Sequence, residues 1–85
     1  MDIRELKYFA QIAKDGNFST AAAKLSISQP ALSKVIQKME DQLGISLFYT
    51  FQRRQKLPDA GALPLAHALR VINGYDSIVE TTHLN

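Results

Sequence analysis

Residues 17–43 read NFSTAAAKLSISQPALSKVIQKMEDQL, and the fold turns on them. They divide into two helices joined by a tight turn. In the second, over residues 28–43, Ser28 is placed as N-cap, its hydroxyl set to accept an early backbone N–H. Gln29 and Pro30 follow, and a proline in the first turn gives up no helical hydrogen bond. Ile27, just before the cap, is positioned to pack on Leu32 as a hydrophobic staple. At about 100° per residue, Leu32, Val35, Ile36, Met39 and Leu43 share one face, and Gln29, Pro30, Ser33, Lys34, Gln37 and Asp41 the other. Gly44 stands where a left-handed C-cap belongs. Amphipathicity alone describes any surface helix. This polar face, however, stays small, neutral or basic until Glu40 and Asp41 in the last turn. That suits an anion at the helix N-terminus, where free N–H groups and the dipole already favour one, and a helix so presented fits the major groove of a DNA duplex.

The preceding helix is short. Ser19, after Phe18, reads as its cap, and Thr20-Ala21-Ala22-Ala23-Lys24-Leu25 runs to Ser26, the alanines permitting close approach to the next helix. Ahead of it Ile3, Leu6, Phe9, Ala10, Ile12 and Ala13 form an apolar stripe that stops at Gly16. Beyond Gly44 the pattern changes. Leu47-Phe48-Tyr49-Thr50-Phe51 is aromatic and β-favouring, and Arg53-Arg54-Gln55-Lys56-Leu57 is polar and basic, which reads as a hairpin over residues 47–57. Its turn lies near Gln52 and contains no Gly, Asn or Asp, so no turn type follows. From Asp59 helix formers return, with Leu65, Leu69, Ile72, Tyr75 or Asp76, and Val79 at a period near 3.5. That stripe either folds back on the core or pairs with a second copy. Pro58 and Pro64 predict that this helix starts late, near Leu63, or is kinked, since an interior proline costs about 3 kcal/mol.

Eighty-five residues make one small domain, near the lower limit for an unaided core. Net charge is only +2, but its distribution is uneven. From Lys24 to Lys56 six bases (Lys24, Lys34, Lys38, Arg53, Arg54, Lys56) face two acids (Glu40, Asp41), whereas Asp59, Asp76 and Glu80 outnumber Arg70 thereafter. Such asymmetry suits a nucleic-acid-facing core with a neutral-to-acidic arm. With no cysteine, disulfides and thiolate metal sites are excluded. No cofactor is expected. His67 and His83 lack a second ligand at metal spacing and read as surface or interface residues. Glu40 and Asp41 point apart, so shared acid–base work is not expected, and no phosphate loop or nucleophile motif is present. Tyr8, Tyr49 and Tyr75 read as core or interface side chains. An enzyme is therefore not expected, and with neither signal peptide nor membrane span the expected location is cytoplasmic.

The residues Leu6, Phe9, Ala13, Phe18-Ser19, Ala21-Ala22, Leu25, Ser28-Gln29-Pro30-Ala31-Leu32-Ser33, Ile36, Leu43-Gly44, Leu47-Phe48, Arg54, Leu57 and Ala60-Gly61 carry a family resemblance. In this order the chain resembles the N-terminal DNA-binding region of LysR-type transcriptional regulators over nearly its whole length. The resemblance implies a mainly α fold: a winged helix-turn-helix of three helices and a small β-hairpin wing over residues 1–58, then a long linker or dimerisation helix over residues 59–85. It implies double-stranded DNA as partner and a homodimer formed through the last helix, with Leu65, Leu69, Ile72, Tyr75 and Val79 at the interface. Any small-molecule effector would belong to a C-terminal domain absent from this chain, and Asn85 would not be the natural end.

The expected DNA contacts are Ser19 and Thr20 beside the backbone; Ser28, Gln29, Pro30, Ser33, Lys34 and Gln37 in or near the major groove; and Arg53, Arg54 and Lys56 in the wing. Lys34 and Arg54 are each expected to release about one counterion. The rival reading is a winged-helix protein–protein module with an inert polar face and a working terminal helix. Duplex titrations separate the two, because the rival predicts weak binding without sequence preference.

Overall fold

Short-range caps mark out the three helices of the body. The computed structural model describes residues 1–83, with α1 over Ile3–Asp15, α2 over Phe18–Leu25 and α3 over Gln29–Leu43. Asp2 caps α1, accepting from the Glu5 N–H at 2.8 Å, and Ser28 caps α3, accepting from the Ala31 N–H at 3.1 Å. The cap of α2 is Asn17 rather than Ser19: its side-chain oxygen accepts from the Thr20 N–H at 2.9 Å, and the helix begins two residues earlier than the hydroxyl at Ser19 suggested. Gly16, Ser26 and Gly44 close the three helices in the left-handed conformation. Ser26 does so without glycine's freedom, its N–H bonded to the carbonyls of Ala22 and Ala23.

These helices bury their apolar faces against one another. Phe9 and Ile12 of α1, Ala21 and Ala22 of α2, and Leu32, Ile36 and Met39 of α3 form the core, together with Leu47 and Ala68. Ile27 packs on the same cluster, as a staple beside Leu32 requires. Val35 is half-buried, and Leu43, at the end of the apolar face, is exposed.

The hairpin is shorter than the β-favouring run. Strands β1 (Tyr49–Phe51) and β2 (Arg54–Lys56) pair antiparallel, Tyr49 opposite Lys56 and Phe51 opposite Arg54. Leu47 and Phe48 are drawn out of the strand by the core: Leu47 is fully buried, and Phe48 meets Phe9 and Phe18 edge-on at ring-centroid distances of 5.5 and 6.1 Å. Leu47 is also held from α3, since its N–H donates to Glu40 Oε2 at 2.7 Å. The turn residues Gln52 and Arg53 both have positive φ, 50° and 64°, as a type I′ hairpin demands.

Helix α4 runs Asp59–His83 and starts at Asp59, not near Leu63, with Pro64 inside it. Packing explains the early start. Gly61 and Ala68 are buried against the body, and a Cβ on Gly61 would lie 3.0 Å from Leu57 Cδ1, so this turn of helix is pressed onto the core. The contact offsets the bond that Pro64 cannot make. It packs mainly on α1 as far as Asp76, and the turns beyond are exposed, within a molecule measuring 47 × 26 × 21 Å.

Candidate nucleic-acid interface

The solvent side of α3 is open from its first turn. Gln29, Pro30, Lys34 and Gln37 are exposed, and Ser33 is half-exposed between them. The Gln29 amide donates to Ser33 Oγ at 2.8 Å, and the Gln37 amide to Asp41 Oδ1 at 3.1 Å, so the polar groups are ordered along the helix without being buried. Ser19 and Thr20 are exposed at the start of α2. Arg53 and Lys56 are exposed on the wing. All of the expected contact residues are thus accessible, and Gln29, Ser33 and Gln37 share one side of one helix.

The basic charges are not equivalent, which the sequence did not reveal. Lys24 pairs with Asp15 at 2.9 Å, and Lys38 pairs with the buried Glu5 at 3.1 Å, so two of the six bases are matched by acids of α1. Arg54 donates to the carbonyl oxygen of Asp15 at 3.2 Å and lies against Gly16. Among the described residues Lys34, Arg53 and Lys56 have no ion-pair partner. Within the basic run from Lys24 to Lys56, the bases without an ion pair therefore lie on the exposed side of α3 and on the wing, while Arg4, Lys14 and Arg70 are likewise outside the ion pairs of the described residues.

Glu5 is a structural residue that sequence reading missed. It is 3 % exposed, and its carboxylate ties α1 to α3 through Lys38, with the N-terminal ammonium 3.7 Å from its other oxygen. The only advance signal was an acid on the edge of the apolar stripe of α1.

The Lys24 ammonium, then the Gln11 amide, hold the Asp15 carboxyl below its ordinary range. The unfolded chain binds that proton more readily, so the tie stabilises the α1–α2 corner above the unfolded pKa and is lost as pH falls through the lower, folded one. Asp15→Asn is therefore expected to lower the melting temperature at neutral pH. The difference from the parent should close as pH drops below about 4. Thermal melts across that range check this, and a gap that persisted in acid would show that the carboxylate charge is not the cause.

The residues expected at a dimer interface do not lie in one environment. Leu65, Leu69 and Ile72 line a groove with Ala10 and Lys14 of α1, Leu65 and Ile72 half-buried and Leu69 exposed, whereas Tyr75 and Val79 are exposed outside that lining. Lys7 of α1 reaches Asp76 at 3.6 Å and lies 5.3 Å from the Tyr75 ring, which fixes α4 against α1 at that level. Exposed apolar side chains that the stripe did not include are Leu63, Val71 and Ile78. Tyr8 packs on the core, and Tyr49 is about half exposed on the wing rather than in the core. Among the described residues no cluster of metal-ligating side chains forms, and no helix is long and apolar enough to cross a membrane.

The same arrangement occurs in known proteins. A crystal structure of a BenM_DBD/benA site 1 DNA complex superposes with a TM-score of 0.90 at 35% identity, covering 96% of this chain and 92% of that one. A CbnR_DBD–DNA complex gives 0.87 at 33%, covering 96% and 94%. In sequence, a probable cat1 operon transcriptional activator of Acinetobacter lwoffii is 37% identical over 82 residues, which is 96% of this chain and 27% of that protein. The chain spans less than a third of the length of the first such relatives. The family described as "Bacterial regulatory helix-turn-helix protein, lysR family" matches residues 3–62. This chain belongs to the LysR family of bacterial helix-turn-helix regulators.

Proposed function

We propose that this chain is the sequence-reading, DNA-binding unit of a transcriptional regulator, and that it is not itself an enzyme. Residues 1–58 form the reading unit and residues 59–85 the linker helix. The supporting observation is the solvent side of α3: an ordered polar row from Gln29 to Gln37, an unpaired Lys34, and no acid before the last turn. Gln29, Ser33, Lys34 and Gln37 read base edges in the major groove, with Ser28 and Pro30 at the helix start. Ser19 and Thr20 meet the backbone from the start of α2, and Arg53 and Lys56 meet it from the wing. The likeness to BenM_DBD and CbnR_DBD in their DNA complexes supports this reading. Its place of action is the cytoplasm, where the genome lies.

Two copies act together through α4. The exposed Val71, Tyr75, Ile78 and Val79 on its distal half, and an apolar groove bordered by Leu6, Met39, Leu43 and Leu63, are the surfaces a second copy covers. A small-molecule effector acts through a C-terminal domain of the whole regulator.

Lys34→Ala tests the reading. The side chain is exposed and unpaired, so stability should hold while affinity for a duplex selected from a randomised pool falls about tenfold, within the range of a lost base or phosphate contact. The slope of log affinity against log salt should flatten by about one. Unchanged affinity and slope would remove Lys34 from the interface. Equal binding of selected and scrambled duplexes by the parent would remove the reading itself, leaving the protein–protein module.

A further inference from the structure

A three-pair hairpin with a glycine-free turn does not hold itself in place. Isolated two-stranded hairpins are marginal in water, and a non-glycine residue at positive φ is disfavoured by the clash of its Cβ with the backbone. The wing carries two such residues in succession, Gln52 and Arg53. Its root is anchored by Leu47, Phe48 and Leu57 on the core, and its second strand also grips the end of α1. The Gln55 N–H donates to the Gly16 carbonyl at 3.0 Å, and Arg54 Nη2 donates to the Asp15 carbonyl at 3.2 Å. The guanidinium lies flat enough over Gly16 that a Cβ there would stand 2.6 Å from Nη2 and 3.2 Å from Cζ. Its charge sits where the carbonyls at the C-terminus of α1 give the dipole its negative end.

We propose that Arg54 is a positioning residue that clamps the wing to the α1–α2 corner and so aims Arg53, the wing contact proposed above. The proposal rests on the DNA-binding reading above. A backbone in an unfavourable conformation persists only where its surroundings over-determine it. Here the clamp is that surrounding, and the side chain it aims is Arg53. The adjacent arginines thus divide the work: Arg54, though exposed, commits one donor to the Asp15 carbonyl, whereas Arg53 makes no side-chain hydrogen bond or ion pair among the described residues.

The test combines duplex binding across a salt series with amide hydrogen exchange of the free protein, on Arg53→Ala, Arg54→Ala and Gly16→Ala. Arg53→Ala should flatten the salt slope by about one and leave exchange at Gln55 unchanged. Arg54→Ala should lower affinity for the selected duplex about five- to tenfold at an unaltered slope, and speed Gln55 exchange about tenfold, with α3 amides as slow as in the parent. Gly16→Ala keeps both arginines but crowds the guanidinium and also strains the left-handed backbone whose carbonyl accepts the Gln55 N–H, so it should speed Gln55 exchange and weaken binding at the parent's slope, and it supports the clamp only where Arg54→Ala does the same. A flattened slope in Arg54→Ala with Gln55 exchange unchanged would make Arg54 a direct contact and overturn the proposal. If the parent binds no duplex, the DNA reading fails; the exchange rates then show whether the clamp exists, but it no longer serves recognition.

Discussion

Ile78→Asp combined with Val79→Asp is expected to leave a folded monomer whose affinity for its selected duplex is about 100-fold lower or more, because two tethered half-site contacts become one. Both side chains are exposed, 68% and 41%, and neither belongs to the core of the single chain. In a pair of chains they place carboxylates in an apolar seam, where an unpaired charge is strongly disfavoured. Sedimentation equilibrium and duplex titration check the two halves of the expectation. Dimers that survived the double substitution would move the interface away from the distal half of α4. The parent stripe of Leu65, Leu69, Ile72, Tyr75 and Val79 is not equally available for this purpose, because Leu65 and Ile72 already border the groove along α1.

Leu47→Ala should cost about 3 kcal/mol, within the range for truncating a fully buried leucine. That is a large share of the stability available to a small domain. The site has little scope to collapse. Glu40 fixes the Leu47 N–H from α3, and Gly61 of α4 approaches so closely that its Cβ would lie 3.4 Å from the Leu47 carbonyl oxygen. The loss should therefore loosen the wing and the root of α4 together. Urea denaturation monitored by circular dichroism measures it; a cost below about 1 kcal/mol would mean that the surrounding side chains refill the space.

The helical body was legible because its signals are local. Ser28, Pro30 and Gly44 each act within a turn of where they stand, and each keeps its expected role. Asn17 competed with Ser19 for one cap, and only the backbone decides between adjacent cap formers. The wing was legible as a hairpin but not in length, since Leu47 and Phe48 have strand-favouring side chains and are claimed by partners as distant as Phe9. Helix α4 starts at Asp59, where the resemblance put it; Pro58 and Pro64 argued for a start near Leu63 or a kink because an interior proline carries a known penalty, whereas the packing of Gly61 and Ala68 that offsets it is tertiary. For the candidate site, the row from Gln29 to Gln37 could be read from periodicity alone. The inequality of the basic residues could not: Lys38 meets Glu5 across 33 positions, and Arg54 meets Asp15 across 39.

On the proposed function the outer side of α3 enters the major groove. Intermolecular nuclear Overhauser contacts in a complex with the selected duplex test it most directly, because thymine methyls mark the floor of that groove. The account predicts contacts from the side chains of Gln29, Pro30, Ser33 and Lys34 to thymine methyl and cytosine H5 protons. A complex in which those side chains show no such contacts, while α4 carries the perturbed resonances, would contradict it.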